Sequence, residues 1–438
     1  MIRITEVQDS LLHLIGWRQS YDRNNGTQLS ESLTQTESGL YYQDFHPLLS
    51  LENILCIAPD FKNISYPDYS STESYRANTV VSYQGTLYRA VQDVPADVVE
   101  ISNTDYWVET NPFSEWLETK TKASIVKAVN RYLNEKIAKG TFRSLCEKKT
   151  LFDGTGRIYD TIKNCHNLVG FEIVPIRSKG VTTKINKIGL QFTTPGDYTI
   201  LIYHSSRVEP YYQETFTKRT ANSMEWFTPS QDLFLPYESE DIDAGGSWYI
   251  CYLQTNLPQD SNAIRKNRDW SKGPCNECSR HEYESWEIWS RFLEVHPFYV
   301  NEELLDVVEG QVQLWDISSN IYDYSTNYGL NLDITIGCDI TDFIIDQKDL
   351  MQDYLGKSLA TDFLREYAFN PSVRTNRHSI NASRPDILYE IDGDSSSSRK
   401  SGLAYQLELA LKALNISTEG IDKVCMPCVN HGVKYRTV

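Results

Sequence analysis

The sequence predicts a multidomain α+β protein: a β-sandwich of jelly-roll type, a small three-stranded β domain and several amphipathic helices. Three observations carry this reading. Between about residues 165 and 255, apolar and polar residues alternate through a series of short runs, which is the period of strands. Elsewhere apolar side chains recur at i+4, the period of a helix, most clearly at Ile125, Val129, Leu133 and Ile137. Around Gln84-Gly85-Thr86, two short alternating runs meet at one turn glycine, as in a hairpin.

Residues 1–65 mix turn signals with short apolar runs and keep no clean period. This segment reads as an extended arm with short helical pieces, docking on other parts of the chain or on a neighbour; a long irregular stretch inside a compact domain is unusual, which favours the neighbour. Residues 66–112 form the small β domain. Val80–Tyr83 and Leu87–Val91 are its first strands, Pro95 marks a loop, and Asp105–Glu109 is its last strand. So short a fold has little core. Tyr75, Tyr83, Tyr88 and Trp107 are the aromatics that would fill it.

Residues 113–160 are a helical segment. Ser114 follows Pro112-Phe113 as an N-cap, and Gly140 can end the helix in the left-handed conformation. Residues 161–260 hold the runs "LVGFEIVPI", "TKINKIGLQF", "DYTILIYHSS" and "GSWYICYLQT", separated by Gly, Pro, Asn and Asp. Their spacing suggests the sandwich. Residues 261–438 are mixed α/β. A part-helical stretch at 280–300 precedes strands at 310–340. A long helix follows, capped by Thr341 or Asp342, with Met351, Leu355, Leu359, Phe363 and Tyr367 as its stripe. "IDGDSSSSRKSG" reads as a loop, and Leu403–Leu414 as a short amphipathic helix.

Composition narrows the function classes. Tyrosine is frequent, at 28 residues against 4 Met, which leans towards strands and contact surfaces. The net charge of −17 argues against a general nucleic-acid sleeve, which needs clustered Lys and Arg. It leaves open a pore whose acidic wall repels DNA and lets it slide. The first twenty residues lack the pattern of a signal peptide. No run approaches the ~18–20 apolar residues of a membrane span. A cytoplasmic site of folding is therefore expected, where nine Cys read as thiols or metal ligands rather than disulfides.

Two CxxC pairs stand out: Cys275 with Cys278, and Cys425 with Cys428. Two-residue spacing lets both thiolates face one ion, and two such pairs complete a tetrahedral structural zinc site. His281 and His431 are spare ligands. The plainer reading is two unrelated thiol pairs in turns.

Catalytic patterns do not emerge, and a non-enzymatic role is expected. Asp153–Arg157 ("DGTGR") lacks the Lys-Ser/Thr that completes a phosphate loop. There is no GxSxG or HExxH, and acidic neighbours such as Asp339 and Asp342 are expected by chance. Asp392-Gly393-Asp394 lacks the spacing of an EF-hand.

The stretch "YRANTVVSYQGTLYRA" resembles the small chitin- and cellulose-binding modules of secreted hydrolases. Tyr75, Val81, Tyr83, Gly85, Tyr88 and Ala90 match that pattern, while Asn78 stands where glycine is usual. After Ala90 the chain reads Val91-Gln92-Asp93, where the modules carry exposed aromatics. The matching residues are core positions and the departing ones are sugar-binding positions. The resemblance thus implies a module fold kept as a structural adaptor.

Two other stretches resemble structural proteins of the crAss-like tailed phages of gut Bacteroidetes. One is "LLHLIGWRQS…SLTQTESGLYYQDFHPLLSLENI"; the other runs from "NLDITIGCDITDFIIDQKDLMQDYLGKSLATDFLREYAF" to "VCMPCVNHGVKYRTV". The resemblance implies a virion neck or tail protein, made in the host cytoplasm. It would form a ring of six or twelve copies, twelve favoured, stacked below the portal with other neck or tail proteins. DNA would pass through its lumen without specific binding, and no membrane would be involved. It assigns no catalytic residue. Two other readings are a tail-associated receptor-binding protein that grips a cell-surface glycan, and a carbohydrate-active enzyme with an appended module. The enzyme would need a carboxylate pair at glycosidase separation, for which the sequence offers no candidate.

Overall fold

A computed structural model describes residues 1–19, 29–92, 94, 100–136, 144–153, 160–176, 179–237, 246–266, 268–277, 280–308, 311–369, 380–393, 401–421 and 423–425. The protein is α+β, with several antiparallel sheets. The chain divides into two compact units. The helical unit is Arg3–Ile137 with Thr341–Ser417; the sandwich unit is Met1–Ile2, Ala138–Ile340 and Thr418–Val438.

The helical unit opens with α1 (Ile4–Leu12) and the short helices α2 (Glu31–Thr34), α3 (Tyr42–Phe45) and α4 (Leu51–Leu55). Strands β1 (Val80–Tyr83), β2 (Thr86–Ala90) and β3 (Trp107–Thr110) follow as an antiparallel sheet in that order. Then comes α5 (Pro112–Lys136). Asn111, rather than the expected Ser114, caps α5: its Oδ1 accepts from Ser114 N at 2.9 Å. Proline opens the helix, where its missing N–H costs nothing. Ile125 and Val129 are buried along α5, as the stripe predicts.

The sandwich unit begins with β4 (Ser144–Thr150), β5 (Asp160–Ile162), β6 (Asn167–Pro175), β7 (Val181–Leu190), β8 (Gly196–His204) and β9 (Tyr212–Lys218). Strands β10 (Glu225–Phe227), β11 (Leu233–Pro236), β12 (Trp248–Leu253) and β13 (Ala263–Arg265) follow, then α6 (Arg280–Trp289) and β14 (Leu293–Asn301). The last strands are β15 (Val307–Val308), β16 (Gln311–Val312), β17 (Ile321–Tyr322) and β18 (Leu330–Cys338). One sheet runs β10-β7-β18-β4, with β11 also on β7; the other runs β17-β14-β6-β12-β8-β9. Alternate residues of both sheets share one core, including Phe171, Ile200 and Ile250 from one and Ile188, Leu332 and Ile336 from the other.

The six-stranded sheet is buried on its second face too. There Trp315 stacks on Phe298 at 5.6 Å and lies against Tyr249. Burial on both faces explains why β12 ("WYICYL") reads as a nearly continuous apolar run.

The chain then returns to the helical unit through α7 (Thr341–Asp346), α8 (Gln352–Phe369), α9 (Ile380–Asp392) and α10 (Leu403–Ala413). Met351, Leu355, Leu359 and Phe363 of the expected stripe are buried.

Three divisions differ from the sequence reading, the first being the expected helical segment 113–160, which also holds strand β4. The expected docking arm packs within its own chain: Val7, Leu11, Leu14, Ile15 and Trp17 are buried. Trp17 donates through Nε1 to Thr121 Oγ1 at 3.2 Å and packs against Phe363. Thr121 and Phe363 stand more than a hundred residues from Trp17, so local periodicity could not reveal them. The sandwich, expected over 161–260, also takes in β4, β14, β17 and β18. It extends further because its central strand partners arrive late in the sequence.

Candidate functional site

The small β sheet is the part of the chain with the clearest binding-type chemistry. Its hairpin turns on Gln84 and Gly85, both at positive φ (51° and 84°), as a two-residue turn with this twist requires. Asn78 is also left-handed, at φ 68°, and its N–H donates to Ala90 O at 2.7 Å. Asparagine is among the few side-chain residues that tolerate this region. Asn78 therefore holds a backbone geometry that otherwise favours glycine.

Strand alternation gives the sheet two chemically distinct faces. On one face lie Val81, Tyr88 and Glu109 in register, with Ala90 opposite Trp107. This face holds the small domain's core of Tyr75, Val81, Ala90, Val94, Ile101 and Trp107. Tyr75 is 8% exposed and Trp107 2%. Tyr88 is half-buried against the core. Tyr83 departs from the expectation: it is 38% exposed and lies outside the core. Its position beside the hairpin turn turns its ring outward to solvent. Tyr69, which the sequence reading missed, takes its place. It stacks on Tyr75 at 5.8 Å and meets Trp107 edge-on at 5.6 Å. Tyr69 and Tyr83 are perpendicular, at 86°, so they form no flat platform.

The opposite face carries Val80, Arg89 and Val108 in register, then Ser82, Leu87 and Thr110. Arg89 reaches α5 from here. Its guanidinium pairs with Glu118 through Nη1 and with Glu115 through Nη2, each at 2.5 Å. Thr110 donates to Glu115, and Ser32 to Glu118 at 2.9 Å. Burial alone would raise the Glu118 carboxyl; Arg89, Lys122 and Ser32 outweigh it and hold it below the usual carboxylate range. At the hairpin end of the sheet is a groove of about 510 Å³, lined from both faces by residues that include Tyr66, Ser82, Leu87, Glu109 and Asn111. One aromatic ring, a carboxylate and an amide around an open groove suit a hydroxyl-rich ligand.

No known protein family, curated protein or solved structure matches this chain.

The four cysteines are not brought together among the described residues. Cys425 is bonded to Cys338, a partner the CxxC spacing did not suggest. Cys275 is exposed on the turn before α6, while Cys278, Cys428 and His431 lie outside the described residues. Cys425 can serve a four-cysteine ion site only as a free thiolate, and here its sulfur is bonded to Cys338. Among the described residues, no group of three or more His, Cys, Asp or Glu is placed to hold a metal. Residues 154–157 of "DGTGR" and Asp394 also lie outside the described residues. Asp392 is 3.5 Å from Arg365. Among the described residues, no helix is long and apolar enough to cross a membrane.

One further group escaped the sequence reading. Glu172 is buried on β6, where it accepts from Tyr322 at 2.6 Å and from Tyr249 at 3.3 Å. Burial and this carboxylate push the Tyr322 phenol up to about 12. The signal was a lone acid inside the apolar run "LVGFEIVPI".

Proposed function

We propose that this chain is a structural component of a tailed-phage virion. In this reading it is a neck or tail ring subunit, assembling head-to-tail around the DNA channel below the portal. The packing of Trp17 against Phe363, 5.6 Å between ring centres, is the observation that carries the reading. The two stretches that resemble virion proteins lie at opposite ends of the sequence. The first stretch and most of the second, from Thr341 to Ser417, belong to one compact unit. A likeness split between remote segments of one packed unit is what an inherited fold leaves behind.

The chain's acidic balance supports the same reading, since a negative wall repels DNA and lets it pass. The partners are further copies of the chain, the portal and neighbouring neck or tail proteins. The sandwich is then a jelly-roll-type scaffold, and the small sheet a structural adaptor fixed to α5 by Arg89. Negative-stain imaging of the purified chain tests this reading. Closed rings are expected, and threefold particles overturn it.

The groove beside Tyr66, Glu109 and Asn111 favours a second reading, a tail-associated receptor-binding protein that recognises a cell-surface glycan. Glycan-array binding that Tyr66→Ala abolishes supports that reading, and an array without signal removes it.

A further inference from the structure

The chain leaves the sandwich unit after Ile340 and returns to it at Thr418. Cys338 ends β18 just before the departure, and Cys425 lies just after the return. Their bond therefore closes a covalent loop with a sequence separation of 87, which contains the whole of α7 to α10. Both cysteines are fully buried.

The returning segment has a prepared seat at Gly180. Ile421 packs so closely on this glycine that a Cβ there would lie 2.6 Å from Ile421 Cγ1. Gly180 O accepts from Asp339 N at 2.8 Å, and the Cys425 sulfur lies 3.4 Å from the same carbonyl. A reduced Cys425 would find an acceptor for its S–H close by in Gly180 O once the two sulfurs part to non-bonded distance.

We propose that Cys338 and Cys425 form a redox latch. In reducing surroundings both are thiols, and the returning segment is held at Gly180 without a covalent tie. A low-molecular-weight disulfide such as oxidised glutathione closes the latch. Each protein thiol gives up one proton and one electron, the Cys338–Cys425 bond forms, and the glutathione disulfide leaves as two thiols. Closing so long a loop restricts the unfolded chain strongly, so the oxidised form is the more stable. Burial means that a reductant reaches the bond only when the returning segment lifts off Gly180.

The test uses the full chain, purified under reductant and then divided between oxidised glutathione and dithiothreitol. Each half is alkylated, digested and mapped by mass spectrometry. The oxidised half is expected to yield one peptide pair joined through Cys338 and Cys425, with neither cysteine alkylated. Its thermal midpoint should lie higher, on the order of 5–10 °C. Dithiothreitol should reverse both changes, and Cys338→Ser should abolish the response while keeping the midpoint of the reduced chain. Alkylation of both cysteines in the oxidised half overturns the latch. So does a cross-link from Cys425 to another cysteine, or bound zinc protecting Cys425 without any cross-link. The peptide map of the unsubstituted chain decides the question even where Cys338→Ser fails to fold.

Discussion

Arg89 of β2 and Glu118 of α5 form an ion pair from which water is almost excluded; the Glu118 side chain is 5% exposed. Removing one member of such a pair strands the other charge in a poorly solvated place. Arg89→Met keeps most of the side-chain volume but leaves Glu115 and Glu118 facing each other. It should destabilise the helical unit by about 3 kcal/mol, read as a lower urea midpoint. A second change, Glu118→Gln, should recover part of that loss. An unchanged midpoint in the single variant would mean that the module is not fixed to α5 through Arg89.

The same pair sets a pH dependence. The Glu118 carboxyl is held below its ordinary range in the folded chain. Its contribution is therefore fully present above the unfolded carboxylate pKa, and is lost as pH falls through the lower folded value. Urea midpoints measured stepwise from neutral into acid should fall less steeply in Glu118→Gln than in the unsubstituted chain.

Asn78 makes the hairpin region sensitive to a small substitution. Its φ of 68° favours Gly or Asn and strains Ala. Asn78→Gly should be nearly neutral, whereas Asn78→Ala should cost about 1 kcal/mol. Thermal unfolding of the two variants side by side checks the difference. Equal midpoints would contradict the left-handed assignment.

Trp107 and Tyr83 should separate packing from surface chemistry. Trp107→Ala removes a buried ring that meets both Tyr69 and Tyr75 edge-on and should cost about 3 kcal/mol or more. Tyr83→Ala, at an exposed position, should shift stability by under about 0.5 kcal/mol. A large loss from Tyr83→Ala would place that ring in the core after all.

Much of the fold was legible because it is written in local periods. Alternation in "LVGFEIVPI" and "DYTILIYHSS" became β6 and β8, and the Met351–Phe363 stripe became buried helix. What stayed hidden was pairing at a distance. Nothing near Trp17 announces Phe363, and nothing near Cys425 announces Cys338. CxxC spacing pointed to Cys428, because spacing describes neighbours along the chain and not across a fold. Tyr83 was misplaced for a related reason: alternation puts it on the same face as Val81, but it sits beside the turn, past the edge of the core. The module's second face, with Arg89 reaching α5, was invisible until the helix beside it was known.

Native mass spectrometry of the purified full chain tests the central claim most directly. A neck or tail ring predicts assemblies of six or twelve copies that persist on dilution. A chain that stops at three copies, or stays single at every concentration, contradicts the ring.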